Sequence, residues 1–318
     1  MSTDLRLTPS SVPWNNLTSL HLPSLNDLYL RTPDETEPTG SRLMDILRFN
    51  PGLEILNARV SDFNWFPNSI PLLKLRRAYV IVRTIQEWNL FYKAISIPQI
   101  RDLTIDIREL TSMPAVCSMI GEQSSVIPLL NNADTCSMEY IQCLESYWTA
   151  DLQKLGINIS CWNQEHETRF QVNVYLLLQD PGGIQDPEEP ASEPCDLFSM
   201  MPAVTRFKFT ECTSFYPSIR PPPFVGILDL QDTRYLGNLE MWIYGIPEDS
   251  FASLAAIILP KEIHGWRWQF VQRILERLVS NSDKPEIIVV GEDMAKNTHE
   301  ELQGFCSEYG VLWRFEGL

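Results

Sequence analysis

The chain has 318 residues, 44% of them hydrophobic, with 25 Lys and Arg against 41 Asp and Glu and a formal net charge of −16. That length and apolar content support a large buried core, while the acidic balance excludes nucleic acid and anionic membrane as expected partners, because both are held by clustered Lys and Arg. The acid is concentrated late: 13 basic against 17 acidic residues lie up to Ser160, and 12 against 24 from Cys161 onward. Seven cysteines, Cys117, Cys136, Cys143, Cys161, Cys195, Cys212 and Cys306, form no CxxC pair. Their odd number fits reduced thiols better than a disulfide framework. The N-terminus has no basic-then-apolar signal, and no apolar run approaches the ~18 residues that span a bilayer, so the expected setting is cytoplasmic or nuclear.

Along the chain, Trp14 to Leu30 carries two Leu-x-x-Leu-x-Leu groups, at Leu17, Leu20, Leu22 and at Leu25, Leu28, Leu30, and a polar loop follows from Thr32 to Gly40. Ser41 is a cap for a short helix with Leu43, Ile46 and Leu47 inward, and Asn50-Pro51 stops it because the residue before proline leaves the helical region. A strand pair is predicted from Ile70 to Arg83 and a helix from Glu87 to Ile95. Ser112 to Val116 reads as a loop and Met138 to Trp148 as a helix. Leu155, Ile157 and Ile159, and then Phe170, Val172, Val174 and Leu176, alternate as strands. The stretch 179–194, QDPGGIQDPEEPASEP, is too poor in apolar residues to offset the entropy of ordering, and is read as a mobile acidic loop. Pro217 to Pro223 reads as a stiff connection. Leu254, Ile257 and Leu259 mark a strand, Phe270 to Val279 a helix, and Ile287 to Val290 a buried strand. Thr298-His-Glu-Glu301 is a capping box for a helix ended by Gly310, and Val311 to Phe315 is a closing strand, so residues 286–318 form a C-terminal capping unit.

One spacing recurs. Pro98-Gln-Ile100-Arg-Asp-Leu103-Thr-Ile105 has counterparts at Pro23 to Leu30, Pro202 to Phe209 and Pro223 to Leu230, with a weaker copy at Pro51 to Ala58. The first apolar positions, Leu25, Leu53, Ile100, Val204 and Val225, are 28, 47, 104 and 21 residues apart. Those intervals are close to one, two, four and one units of a leucine-rich repeat of about 20–29 residues. Proline suits the entry to a strand, and the period-two apolar pattern gives each strand one inward and one outward face. The expectation is one α/β domain over residues 1–318, a leucine-rich-repeat horseshoe. Its outward strand residues are then the candidate partner-binding row: Asp27, Tyr29, Arg31; Ile55, Asn57, Arg59; Asp102, Thr104, Asp106; Arg206, Lys208, Thr210; Ile227, Asp229, Gln231.

Chemistry-bearing constellations are missing from the pattern. The histidines, His21, His166, His264 and His299, are scattered, and none lies four residues from another. Cys161 and His166 have no spacing that sets up thiol catalysis. Val290-Gly-Glu follows a strand without GxGxxG or GxxxxGK[ST]. Glu188 and Glu189 lie in the acidic loop, where burial cannot tune them, and Trp266 and Trp268 around Arg267 read as core. No catalytic, cofactor or metal residue is expected, and the chain is read as non-enzymatic.

The run Leu43 to Leu56, LMDILRFNPGLEIL, the proline-led rungs, Met201 to Phe209 and the ending Cys306 to Phe315 resemble the leucine-rich region of fungal F-box proteins, particularly the expanded basidiomycete set. The resemblance implies a substrate-recognition arm of a Skp1, cullin and F-box ubiquitin ligase, with a protein client and Skp1 and cullin as partners. The family's F-box, a helical module of about 40 residues opening Leu-Pro-x-Glu, is not recognisable in this chain. The alternative is a stand-alone binder or inhibitor that captures a basic protein through the acidic half.

Overall fold

The computed structural model describes residues 19–22, 39–60, 68–111, 113–142, 154–177, 200–210, 224–233, 236–259, 267–282, 284–290 and 296–316. The first strand, β1 (Ser19–Leu22), precedes α1 (Thr39–Phe49), β2 (Ile55–Val60), a short β3 (Ile70–Pro71), β4 (Arg77–Val82), α2 (Ile85–Ala94), a short β5 (Ile95–Ser96) and β6 (Asp102–Thr111). Helix α1 buries Leu43, Met44 and Leu47 on one face. It ends where the Asn50 side chain donates to the Ile46 carbonyl at 2.7 Å and Pro51 prevents continuation. Helix α2 opens with a reciprocal box: Thr84 Oγ1 accepts from the Glu87 N–H, and Glu87 Oε2 from the Thr84 N–H. It turns Trp88, Phe91 and Ala94 inward.

The middle of the chain holds α3 (Met113–Gly121), α4 (Ile127–Asn131), β7 (Thr135–Gln142), β8 (Lys154–Asn163) and β9 (Thr168–Leu177). Then come β10 (Arg206–Phe209), β11 (Ile227–Asp229), α5 (Leu236–Gly245), β12 (Ala256–Ile258), α6 (Arg267–Ser280), β13 (Glu286–Val290), α7 (Lys296–Tyr309) and β14 (Trp313–Glu316). All strands except β3 and β5, which pair with each other, join one twelve-stranded sheet of order β1-β2-β4-β6-β9-β8-β7-β10-β11-β12-β13-β14. Pairing is parallel throughout except around β8, which runs antiparallel to both β7 and β9.

This topology overturns the leucine-rich-repeat horseshoe. Among the described residues the chain is an α/β protein with one long, mostly parallel sheet and seven helices. The 104 residues from Ile100 to Val204, read as four repeat units, instead contain two helices and an antiparallel meander. That meander reverses the strand order, so β6 meets β9 and not β7, and the β6 and β9 register shifts between Asp106 and Leu110. A Leu-x-Leu pattern reports a strand with one buried face and does not say which strand lies beside it.

Three local expectations also change. Residues 113–121 are helix α3, not a loop, because Pro114 falls in the first turn, where its missing N–H leaves no intrahelical bond unmade. The predicted helix from Met138 falls on β7 up to Gln142: Cys136 and Met138 are both buried at period two, and the alternation prevails over the helical spacing further on. Helix α7 starts at Lys296, two residues ahead of the proposed Thr298 cap. Cysteine usage differs as well, since Cys117 is disulfide-bonded while Cys136, Cys161 and Cys306 are free thiols. The expected acidic loop at 179–194, the proline cluster at 217–223 and the second leucine group at Leu25 to Leu30 lie outside the described residues.

One face of the sheet meets the helices. Leu56, Ala58, Val60, Leu103, Ile105, Ile107, Phe170, Val172, Phe207 and Phe209 from the strands share a single core with Leu43, Leu47, Trp88, Phe91, Leu239 and Trp242 from the helices. No described helix is long and apolar enough to cross a membrane.

Candidate functional site

The residues between the core positions of each strand form the opposite, outer face of the sheet. Parallel register aligns them in rows: Asn57, Tyr79 and Thr104 stand side by side on β2, β4 and β6, and Thr104 is opposite Gln171 on β9. One side chain in this area is unusual. Asp106 is only 4% exposed, although it lies on the outer face. Its Oδ2 accepts from the Tyr79 hydroxyl at 3.1 Å and pairs with Arg108 Nη2 at 2.8 Å, while Oδ1 has no hydrogen-bond partner. Burial pushes the Asp106 carboxyl above its usual value, with the Arg108 charge and the Tyr79 hydrogen bond pulling the other way. Tyr79 is raised in turn, first by burial and then by the Asp106 charge.

Polar contacts continue across the meander. Arg108 Nη1 reaches the Tyr175 hydroxyl at 3.4 Å, Arg169 donates to Ser160 Oγ and to Gln171 Oε1, and Gln171 donates to Asn173 Oδ1 at 3.1 Å. Asn158 donates to Glu139 at 3.3 Å, and its own Oδ1 is without a partner. Past β7, Arg206 clasps Asp229 through Nε and Nη2 at 3.2 and 2.6 Å, and Lys208 pairs with Asp232 at 2.6 Å. Beyond them the face turns apolar, with Ala256, Ile258 and Ile288 clustered beside Ile227 and Val290.

The candidate row from the sequence is divided into two patches by this arrangement. Ile55, Asn57 and Arg59 lie on β2, and Asp102, Thr104 and Asp106 on β6, with β4 between them. Arg206 and Lys208 on β10 adjoin Ile227 and Asp229 on β11, while Thr210 and Gln231 lie one and two residues past the ends of those strands. Four strand spacings separate β6 from β10, about 19 Å. Asp27, Tyr29 and Arg31 lie outside the described residues. Tyr79, Asn158, Ser160, Arg169, Gln171, Asn173 and Tyr175 were missed because their strands lack the leading proline, and Arg108 because β6 runs on past the end of its proline-led rung. The alternation of Phe170, Val172 and Val174 was a sufficient signal for three of them, since Gln171 and Asn173 lie in between and Arg169, on the same face as these two, precedes Phe170.

The Asp106 carboxylate, framed by a phenol and a guanidinium, therefore keeps one oxygen buried and without a hydrogen-bond donor, an arrangement that costs stability. Among the described residues no three His, Cys, Asp or Glu side chains converge as a metal site. No family model, curated protein or solved structure matches the chain.

Proposed function

We propose that this chain is a non-enzymatic protein-interaction module whose partner docks on the outer face of the sheet, with Asp106 at the centre of the contact. The observation that carries the reading is the row of polar side chains that parallel register aligns across the outer face, around a carboxylate only 4% exposed. The unpaired Oδ1 of that carboxylate is buried and costly in the free chain, and a partner's donor relieves it once the neighbouring side chains shift aside. Flanking rows supply the rest of the surface: Asn57, Arg59, Asp102 and Thr104 on one side, and Arg169, Gln171, Arg206, Lys208 and Asp229 on the other. The setting that the sequence resemblance implies is client recognition within a Skp1 and cullin ubiquitin ligase. A second reading, a stand-alone binder of a basic protein, draws support from the acidic character of Asp106 and the net charge of −16.

Affinity capture with the tagged chain, run in parallel for the natural protein and for Asp106→Asn and washed at low and high salt, tests both. A retained protein that is lost with Asp106→Asn while the fold is intact supports the outer-face site. Skp1 and cullin in the salt-resistant fraction support the ligase setting, and a basic protein released by salt supports the second reading. An identical set of retained proteins for the two chains removes Asp106 from the binding surface.

A further inference from the structure

The sheet ends at β14, which among the described residues has a single neighbour, β13. The two are parallel, with Ile287 opposite Trp313 and Val289 opposite Phe315, and the Ile287 N–H donates to the Leu312 carbonyl at 2.9 Å. In a parallel ladder this register sends the main-chain groups of Arg314 and Glu316 toward β13 and those of Trp313 and Phe315 toward the open edge. An edge of that kind is a template for a further strand. Its side chains are accessible: Leu312 is 77% and Phe315 45% exposed.

Alternation divides the β14 side chains between the two faces of the sheet. Trp313 and Phe315 lie on the helix side, where their rings meet His299 of α7 at 5.0 and 5.8 Å between centroids. Arg314 and Glu316 lie on the outer side, beside Ile288 and Val290. Arg314 Nε pairs with Glu286 at 3.1 Å, whereas its Nη1 is 3.9 Å from Glu316, beyond hydrogen-bond reach, and both side chains are half-exposed.

We propose that β14 pairs antiparallel with β14 of a second copy of this chain, about a two-fold axis at Phe315, joining two sheets into one. Antiparallel pairing opposes outward-pointing main-chain groups to one another, so a symmetric pair places its axis on Trp313, Arg314 or Phe315. An axis at Arg314 sets two guanidinium groups against each other, and one at Trp313 sets Arg314 opposite Leu312. The axis at Phe315 sets Arg314 of each copy opposite Glu316 of the other, in the closely spaced positions that carry no hydrogen bonds, with Phe315 opposite its counterpart. The sequence LWRFEGL, 312–318, has the same symmetry: reversed about Phe315, it also sets Leu312 against Leu318 and Trp313 against Gly317. An edge that complements itself in charge fits a second copy better than an unrelated strand. It is separate from the surface around Asp106, and the proposal stands or falls independently of that one.

The test is sedimentation equilibrium of the full chain from about 1 to 100 µM, with the fold of each variant checked by thermal unfolding. The natural chain is expected to move from its 36.6 kDa monomer mass toward twice that value as concentration rises. Arg314→Glu or Glu316→Arg alone opposes like charges at both cross-strand pairs and is expected to weaken self-association about tenfold or more. Mixed in equal amounts, the two variants again oppose unlike charges at both pairs, and the mixture is expected to dimerise as the natural chain does. A natural chain that stays monomeric throughout the range, undiminished self-association of either folded variant, or a mixture no more associated than its separate components overturns the proposal. Arg314→Glu also gives up its Glu286 partner; should it not fold, the natural chain and Glu316→Arg decide the matter.

Discussion

Asp106 has its carboxyl held above the ordinary 3.8, so the folded chain binds this proton more tightly than the unfolded chain does. A raised pKa contributes stability below the unfolded value that is lost as pH rises through the folded one. At neutral pH the ionised carboxylate therefore weighs against folding, even with Arg108 at 2.8 Å. Asp106→Asn should then be more stable than the natural chain at pH 7, with the gain shrinking as pH falls toward 4. Urea unfolding of both chains across that range measures it, and a neutral-pH loss of stability in Asp106→Asn would contradict the account. Cys306 carries the same sign at higher pH. It is 4% exposed, and burial pushes its thiol from 9.0 to about 11. Stability should decline between those two values by roughly 2 kcal/mol on its account, and Cys306→Ala should flatten that part of the pH profile. Burial also drives the Cys136 thiol upward, in a nest where Cys161 Sγ lies 3.3 Å from both Cys136 Sγ and Met201 Sδ.

Among the elements, α2 links core and surface. Its inner face holds Trp88, Phe91 and Ala94 in the core beside β2 and β4, and its outer side presents Asn89, Tyr92 and Lys93 to a cleft of about 310 Å³. The capping box at Thr84 fixes where this helix starts. Thr84→Ala leaves the Glu87 N–H without its partner and should lower stability by about 1 kcal/mol, read as a shift in the denaturant midpoint without a change in slope. A shift of a few tenths or less would mean that core packing alone sets the start of the helix. Elements with such local punctuation were legible in the sequence: α1 closed by Asn50 and Pro51, α6 with its apolar stripe, and α7 ended by Gly310, whose φ of 64° suits glycine. Residues 113–121 and β7 were not. Helical and alternating spacings overlap in short apolar stretches, and contact with β8 and β10 decided in favour of the strand.

Across the molecule, the sheet and helices share one core that continues past the meander into the C-terminal third. Trp242 on α5 is a joint in it. Its ring stacks on Phe209 at 5.1 Å between centroids and lies 5.9 and 6.1 Å from Phe207 and Phe251, so β10 and α5 are packed as one piece with the turn ahead of β12. Trp242→Ala should cost about 3–5 kcal/mol, measured by urea unfolding. A loss under about 1 kcal/mol would show that the C-terminal third folds around other contacts.

By itself the sequence determined that the chain builds α/β elements, where most strands lie, and, on strands such as β6, β9 and β10, which side chains face inward. Alternation and capping are local, set by residues two to four positions apart, and survive whatever the strands later pair with. Tertiary structure alone decided that β9 lies beside β6, that Asp106 is dry although it faces outward, and that the Gln123 carboxamide is buried without a partner. Each depends on which distant segment comes alongside and how much water it removes, and desolvation leaves no periodic mark on a chain.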